Sequence, residues 1–223
     1  MPLYRHIAEF PALSTETLAA ARGTASSLLG DAMNRAGIMA AAIKPIAPGT
    51  RLAGQARTVT SMAGDNGIIH AAIPLMRPGE VLVVDAARVD DVAVWGEIMT
   101  RSAVRRGIAG LVLDGAIRDV AAVREIGFPV YCRAVVPRGP HKGFGGTIDA
   151  AIACGGVSVA PGDLIVGDDD GIAVVPLADV DAVLAAAHAA RAREAETIAK
   201  IEGGKTSAEI LGIPEPEIVG DGE

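Results

Sequence analysis

Apolar positions along the chain fall into two rhythms. In the middle third they form short unbroken runs, EVLVVDA (80–86), AGLVLDG (109–115) and FPVYCRAV (128–135), without the polar alternation of a strand that faces water. Between them lie WGEIMTRSAVRRG (95–107) and RDVAAVREIG (118–127), where apolar residues recur at helical spacing and a glycine ends each segment. Buried runs separated by helices of about three turns are what a parallel sheet covered by helices requires. The stretch predicts a β-α-β-α-β unit at the centre of an α/β fold.

The flanks are more broken. Residues 15 to about 36 read as helical, with Ser14 and Ser26 as caps and Gly23 and Gly37 as stops. ARTVTSMAG (56–64) predicts a strand, about 66–76 a helix, and Pro78-Gly79 a turn that closes it. Beyond Pro137 come glycine-rich turns and the short runs VSVA, PGDLIVG and GIAVVP, the last two joined as a hairpin through Asp168-Asp169-Asp170-Gly171. PGEVLV and PGDLIV echo one another as a turn that feeds a strand, without implying a duplicated domain. An Ala-rich helix over 177–202 stops at Gly203-Gly204, and a short amphipathic tail follows, expected to be loose over about 213–223. The chain is expected to form a single domain over 1–223.

Composition narrows the function classes. The 223 residues carry 20 basic and 27 acidic side chains, a formal charge of −7, and only 3% aromatics. That gives neither the basic field nor the stacking surface of a nucleic-acid binder. Every apolar run is broken well before the roughly 18 residues a membrane span needs. Arg5, His6 and Glu9 stand where a secretory signal would have its apolar core, so a cytoplasmic protein is expected. Cys132 and Cys154 read as small buried hydrophobes, and the four histidines make no metal-binding pattern. An EF-hand reading of the DDDG turn fails, because Gly171 at its sixth position puts Val166 at the first and Leu177 at the twelfth.

Open α/β sheets bind ligands beyond the carboxyl ends of their strands, where helix N-termini point free N–H groups outward. Two such ends occur here. Gly96, Glu97, Ile98 and Met99 open one helix, and their amides form a candidate carboxylate cradle. Arg118 and Asp119 open the next on the same sheet edge, one a planar fork for a carboxylate, the other a hard oxygen ligand for magnesium or manganese. The plainer reading of each alone is a solvated arginine and a helix cap.

Glu97, twenty intervening residues and then Arg118-Asp119 resemble the signature of the class II pyruvate aldolases that cleave 4-hydroxy-4-methyl-2-oxoglutarate and 4-carboxy-4-hydroxy-2-oxoadipate. Those enzymes share their fold with the RraA regulators of ribonuclease E activity. The similarity also takes in GDAMNRAG (30–37), GDNGIIHAAI (64–73), PGEVLVVDA, LVLDGAIRD, FPVYCR and PGDLIVGDDDGIAVVP, most of residues 25–200. It implies an RraA-like swivelling β/β/α-type domain in a homotrimer or homohexamer, with sites between subunits. It further implies that Asp119 holds Mg2+ or Mn2+ largely through waters, Arg118 binds the pyruvyl carboxylate and polarises the 2-oxo group, and the amides of Gly96 to Met99 grip the other side. Glu97, where the family more often has Asp, would serve the metal's outer shell together with an acid from a neighbouring subunit's C-terminal helix, Glu196 or Glu194.

The implied chemistry is retro-aldol cleavage of a 2-oxo acid, with oxaloacetate decarboxylation as a companion because both leave charge on the same enolate. Among the four lysines only Lys142, in HKGFGG (141–146), suggests a role, binding the distal carboxylate of the substrate; GFGG lacks the strand–helix context of a dinucleotide loop. The competing reading is a non-catalytic regulator that binds ribonuclease E. Methyl transfer to a quinone finds no glycine-rich methyl-donor loop to support it.

Overall fold

The computed structural model describes residues 2–143, 145–217 and 219. In chain order the elements are β1 (Leu3–Arg5), α1 (Thr15–Arg22), α2 (Ser26–Ala32), β2 (Lys44–Pro45), β3 (Leu52–Ser61), α3 (Gly67–Ala72), β4 (Val81–Asp85), β5 (Ala93–Trp95), α4 (Glu97–Arg106) and β6 (Gly110–Ile117). There follow α5 (Val120–Ile126), β7 (Val130–Val135), β8 (Gly146–Ile148), β9 (Ile152–Cys154), β10 (Val157–Val159), β11 (Leu164–Asp168), β12 (Gly171–Val175), α6 (Val180–Glu202) and α7 (Ser207–Leu211).

Among the described residues one ten-stranded sheet runs β1-β8-β3-β4-β6-β7-β2, with β5 on β6 and the β11–β12 hairpin joined to β3. Its centre, β3-β4-β6-β7, is parallel, so the expected β-α-β-α-β unit is present. The unbroken apolar runs are explained by burial on both faces. On one face Leu82, Val84, Leu111 and Leu113 lie under Ile68 and Ile69 of α3, Met99 and Ala103 of α4 and Val123 of α5, with Trp95 stacked on Phe128 at 6.3 Å. On the other, Val81, Val83, Val112 and Tyr131 meet Ile165, Ile172 and Val174 of the β11–β12 hairpin. A third cluster joins that hairpin to α1, α2 and the first turns of α6. Cys132 and Cys154 are buried, and burial lifts the Cys132 thiol to about 12.

Several boundaries move for physical reasons. The helix expected from 95 starts at Glu97, because residues 93–95 pair with β6 as β5. The helix expected from 118 starts at Val120, leaving Arg118 just past the strand. β3 begins at Leu52, earlier than the apolar run suggests, since residues 52–55 pair with β11. The 164–175 hairpin forms as expected, with Asp169 and Asp170 as its two loop residues. A second hairpin, β9–β10, turns on Gly155 and Gly156, both at positive φ (59° and 81°), as a two-residue type I′ loop requires.

Ser14 caps α1 as expected, accepting from the Thr17 amide, but Ser26 is not a cap. It sits inside α2, where its amide (2.8 Å) and hydroxyl (2.6 Å) both donate to the Asp168 carboxylate. A side chain from the hairpin, 142 residues away in sequence, thus closes the start of α2. The helix expected over 177–202 opens with a 3-10 turn at Leu177–Asp179. The tail forms α7, closed by a Thr206–Glu209 capping box; residues 213–217 take no regular structure, and of the stretch expected to be loose, 218 and 220–223 lie outside the described residues. Among the described residues no helix is long and apolar enough to cross a membrane.

Candidate active site

β6 delivers Arg118 and Asp119 to the sheet edge, where the Arg118 amide donates to the Trp95 carbonyl at 3.0 Å and ties the strand end to the start of α4. Asp119 adopts a left-handed backbone (φ 57°, ψ 34°) that few residue types besides Asn and Asp enter readily. Its carboxylate does not cap its own helix. It turns to α4, accepting from the Glu97 amide at 3.3 Å and standing 3.6 Å from Arg118 Nε. A carboxylate at a helix N-terminus is stabilised by the free amides there.

Two glycines make this packing possible. A Cβ on Gly96 would lie 2.6 Å from Asp119 Oδ2 and 3.2 Å from Arg118 Cγ, and one on Gly139 would lie 2.7 Å from Arg118 Nη1. The Arg118 side chain is therefore seated against bare backbone on two sides, and the Asp119 carboxylate on one.

Arg118, Asp119 and Gly96 border a cavity of about 200 Å³. That is below the ~300–1,000 Å³ of drug-sized pockets and suits a small acid. Ile98 and Met99 of α4, Asn66 just before α3, His70 in its last turn, and Lys142 also line it. Trp95 lies along the wall, its indole N–H donating to Thr100 Oγ1 at 2.8 Å while that hydroxyl donates to the Gly96 carbonyl at 3.0 Å, which fixes the first turn of α4.

Lys142 is positioned by a buried staple. Asp65 is fully buried and accepts from the Gly67 amide through Oδ1 (2.8 Å) and from the Gly143 amide through Oδ2 (2.7 Å). His141 pairs with Gly64 and Asn66 through its backbone, so the 141–143 loop is bound to the start of α3. His70 has its pKa pushed down, first by burial and then by the nearby Lys142 charge, and its ring is neutral at neutral pH. The cavity is thus lined both by the Arg118–Asp119 pair and by Lys142 with His70.

Of the residues singled out from sequence, Gly96, Ile98, Met99, Arg118, Asp119 and Lys142 line this one cavity. Glu97 does not: its Oε1 accepts from Arg101 Nε at 2.8 Å and pairs with Nη2 at 2.7 Å along the outside of α4. Glu194 and Glu196 stand exposed on the outer half of α6. Sequence reasoning gave Asn66, His70 and Trp95 no place at the site, although the i, i+4 spacing of Asn66 and His70 puts both on one face of a short helix.

The donor set constrains what metal it suits. Among the described residues no three His, Cys, Asp or Glu side chains converge on a point. A single, half-exposed carboxylate at Asp119 suits neither a tetrahedral zinc site nor a calcium cage. It does suit magnesium or manganese, which bind through one or two carboxylates and keep most of their waters.

A parallel α/β sheet with an Arg–Asp pair at a strand end, packed against a helix N-terminus beside a small cavity, has the layout in which open α/β sheets place ligand sites. The family model RraA-like, Aldolase/RraA, matches residues 26–174, and the chain belongs to that family. A relative from Halalkalibacterium halodurans, provisionally named a 4-hydroxy-4-methyl-2-oxoglutarate aldolase, is 38% identical over 159 residues, 71% of this chain and 76% of that protein. Among solved structures, Streptomyces coelicolor RraAS2, described as an unusual member of the RNase ES inhibitor RraA protein family, superposes with TM-score 0.77 at 28% identity, covering 84% of this chain and 98% of that one. An uncharacterized protein from Pseudomonas syringae pv. tomato gives 0.76 at 28% identity over 88% and 97%.

Proposed function

We propose that this protein is a divalent-metal-dependent pyruvate aldolase that cleaves 4-hydroxy-2-oxo acids of the 4-hydroxy-4-methyl-2-oxoglutarate or 4-carboxy-4-hydroxy-2-oxoadipate type and also decarboxylates oxaloacetate. The observation that carries the reading is the seating of Arg118 between Gly96 and Gly139, with Asp119 against Gly96 and bonded to the first amide of α4. The aldolase name of the Halalkalibacterium relative supports it.

In this reading the substrate's pyruvyl carboxylate lies on the α4 amides and the fork of Arg118, which also polarises the 2-oxo group. Cleavage breaks the C3–C4 bond and leaves its electron pair on the enolate of pyruvate; the C4 hydroxyl becomes a carbonyl as its proton passes to solvent water, and the enolate takes up a proton at C3 to give pyruvate. Arg118 places fixed positive charge where negative charge develops, beside the apolar side chains of Trp95, Ile98 and Met99. Asp119 would hold Mg2+ or Mn2+, which would supply further positive charge to stabilise the developing enolate. Lys142 faces the far end of the substrate and pairs with its distal carboxylate. Assembly as a trimer or hexamer would bring Glu196 or Glu194 of another copy towards Asp119, and Glu97 would join the outer shell by leaving Arg101.

The test is pyruvate release from 4-hydroxy-4-methyl-2-oxoglutarate and from oxaloacetate, with magnesium and then with EDTA. Release should stop in EDTA and in Asp119→Ala, and fall about 100- to 1,000-fold in Arg118→Ala. Full turnover in Asp119→Ala would sink the reading. A second reading, regulation of an RNase E-type nuclease, is favoured by the likeness to RraAS2. It predicts no pyruvate release and nuclease capture that Arg118→Ala leaves intact.

A further inference from the structure

Asn66 is 5% exposed and lines the cavity, yet its side-chain oxygen has no hydrogen-bond donor. Its orientation is fixed from the other end. Nδ2 donates to the Val94 carbonyl at 3.1 Å and to Met99 Sδ at 3.4 Å, so turning the amide over would set its oxygen against a carbonyl oxygen. The backbone on either side is equally committed: the Asn66 amide donates to the His141 carbonyl, and its carbonyl accepts from His70. A buried acceptor left unpaired costs ~1–3 kcal/mol, and where one persists at a cavity wall a ligand donor is a physical explanation.

The proposed substrate narrows which donor that is. Its carboxylates and its 2-oxo group only accept hydrogen bonds; the C4 hydroxyl is the one group on its carbon skeleton that donates. We infer that Asn66 is a specificity-determining residue whose Oδ1 accepts a hydrogen bond from the substrate's C4 hydroxyl, selecting 4-hydroxylated 2-oxo acids. Oδ1 is closed off from solvent in the free protein, so the substrate engages it by parting the atoms that cover it as it seats. The interaction orients the hydroxyl for loss of its proton. An amide oxygen is not a base, and the proton passes to solvent water. This inference rests on the aldolase reading, and the two separate experimentally because oxaloacetate has no hydroxyl to engage.

The experiment compares wild type with Asn66→Leu, close in size and without polar atoms, on 4-hydroxy-4-methyl-2-oxoglutarate and on oxaloacetate. Aldol kcat/KM should fall about tenfold or more while oxaloacetate decarboxylation changes less than about threefold. Trp95, the chain's single tryptophan and a cavity residue, gives a readout independent of turnover: oxalate should quench it with the same affinity in both proteins. Equal loss on the two substrates with oxalate binding retained, or no loss on either, overturns the inference and leaves the aldolase reading standing. A wild type that turns over neither substrate overturns both. Should Asn66→Leu fail to fold, wild type decides alone: 4-methyl-2-oxoglutarate, the same acid without the hydroxyl, should inhibit with a Ki about tenfold or more above the KM of the hydroxylated acid, and equal values refute the selection.

Discussion

At Gly96 and Gly139 the missing methyl groups act on side chains. The backbone of Gly96 is extended (φ −170°), so alanine costs it no strain. The clash falls on Asp119 Oδ2 and Arg118, and at Gly139 on the tip of Arg118, all of which can swing away. Gly96→Ala and Gly139→Ala should therefore melt close to wild type while pyruvate release falls about 100-fold, as expected when a charged group is displaced by about an ångström. Arg118→Lys should recover little over Arg118→Ala, because an ammonium cannot make the two parallel bonds of the guanidinium fork. Kinetics and thermal melts on the same preparations check both. These two glycines were not legible as a pair, since 43 positions separate them and no short motif links them.

The link between the β11–β12 hairpin and α2 rests on Asp168. Burial pushes its carboxyl upward, but hydrogen bonds from the Ser26 hydroxyl and amide and from Asp170, with the charge of Arg51, outweigh this and leave it below its usual value. The stability it contributes is therefore full above the unfolded-state value and lost as pH falls through the lower folded one. Asp168→Ala should cost about 1–3 kcal/mol at neutral pH by urea titration, with less effect in acid. Glu80 has the opposite sign. Burial raises its carboxyl despite the Arg77 amide and the charge of Arg57, so stability declines as pH rises from about 4.5 through its folded value, and Glu80→Gln should flatten that part of the profile. At this scale the central strands and α4, α5 and α6 could be read from the sequence because burial on two faces, or one, imprints a period on the residues. β1, β2 and β8 could not: they are two or three residues long and are held by partners remote in sequence. Asn66 and His70 share that difficulty, since only the fold brings α3 to face Arg118.

Across the molecule, α6 divides into a packed first half and an outer half. Val180, Val183, Leu184 and Ala187 are buried, whereas Ile198 and Ile201 are 54% and 44% exposed. Ending the chain after Arg193 should leave the core melting within a few degrees of wild type, yet abolish turnover, because Glu194 and Glu196 leave with the helix. Sedimentation and pyruvate assays on the shortened chain check this. Magnesium with pyruvate should raise the melting temperature of wild type and not of Asp119→Ala, since only a ligand that binds the folded state shifts it. β3 has a different kind of consequence. It is closed along its length by β4, by β8 and by β11, partners that lie later in the chain. On the ribosome, residues 52–61 emerge long before 164–168 exist, so the nascent protein carries a half-paired strand through most of its synthesis. Arrested chains that end before residue 164 should be cut readily by protease, and resistance should arrive in one step once β11 and β12 have cleared the exit tunnel.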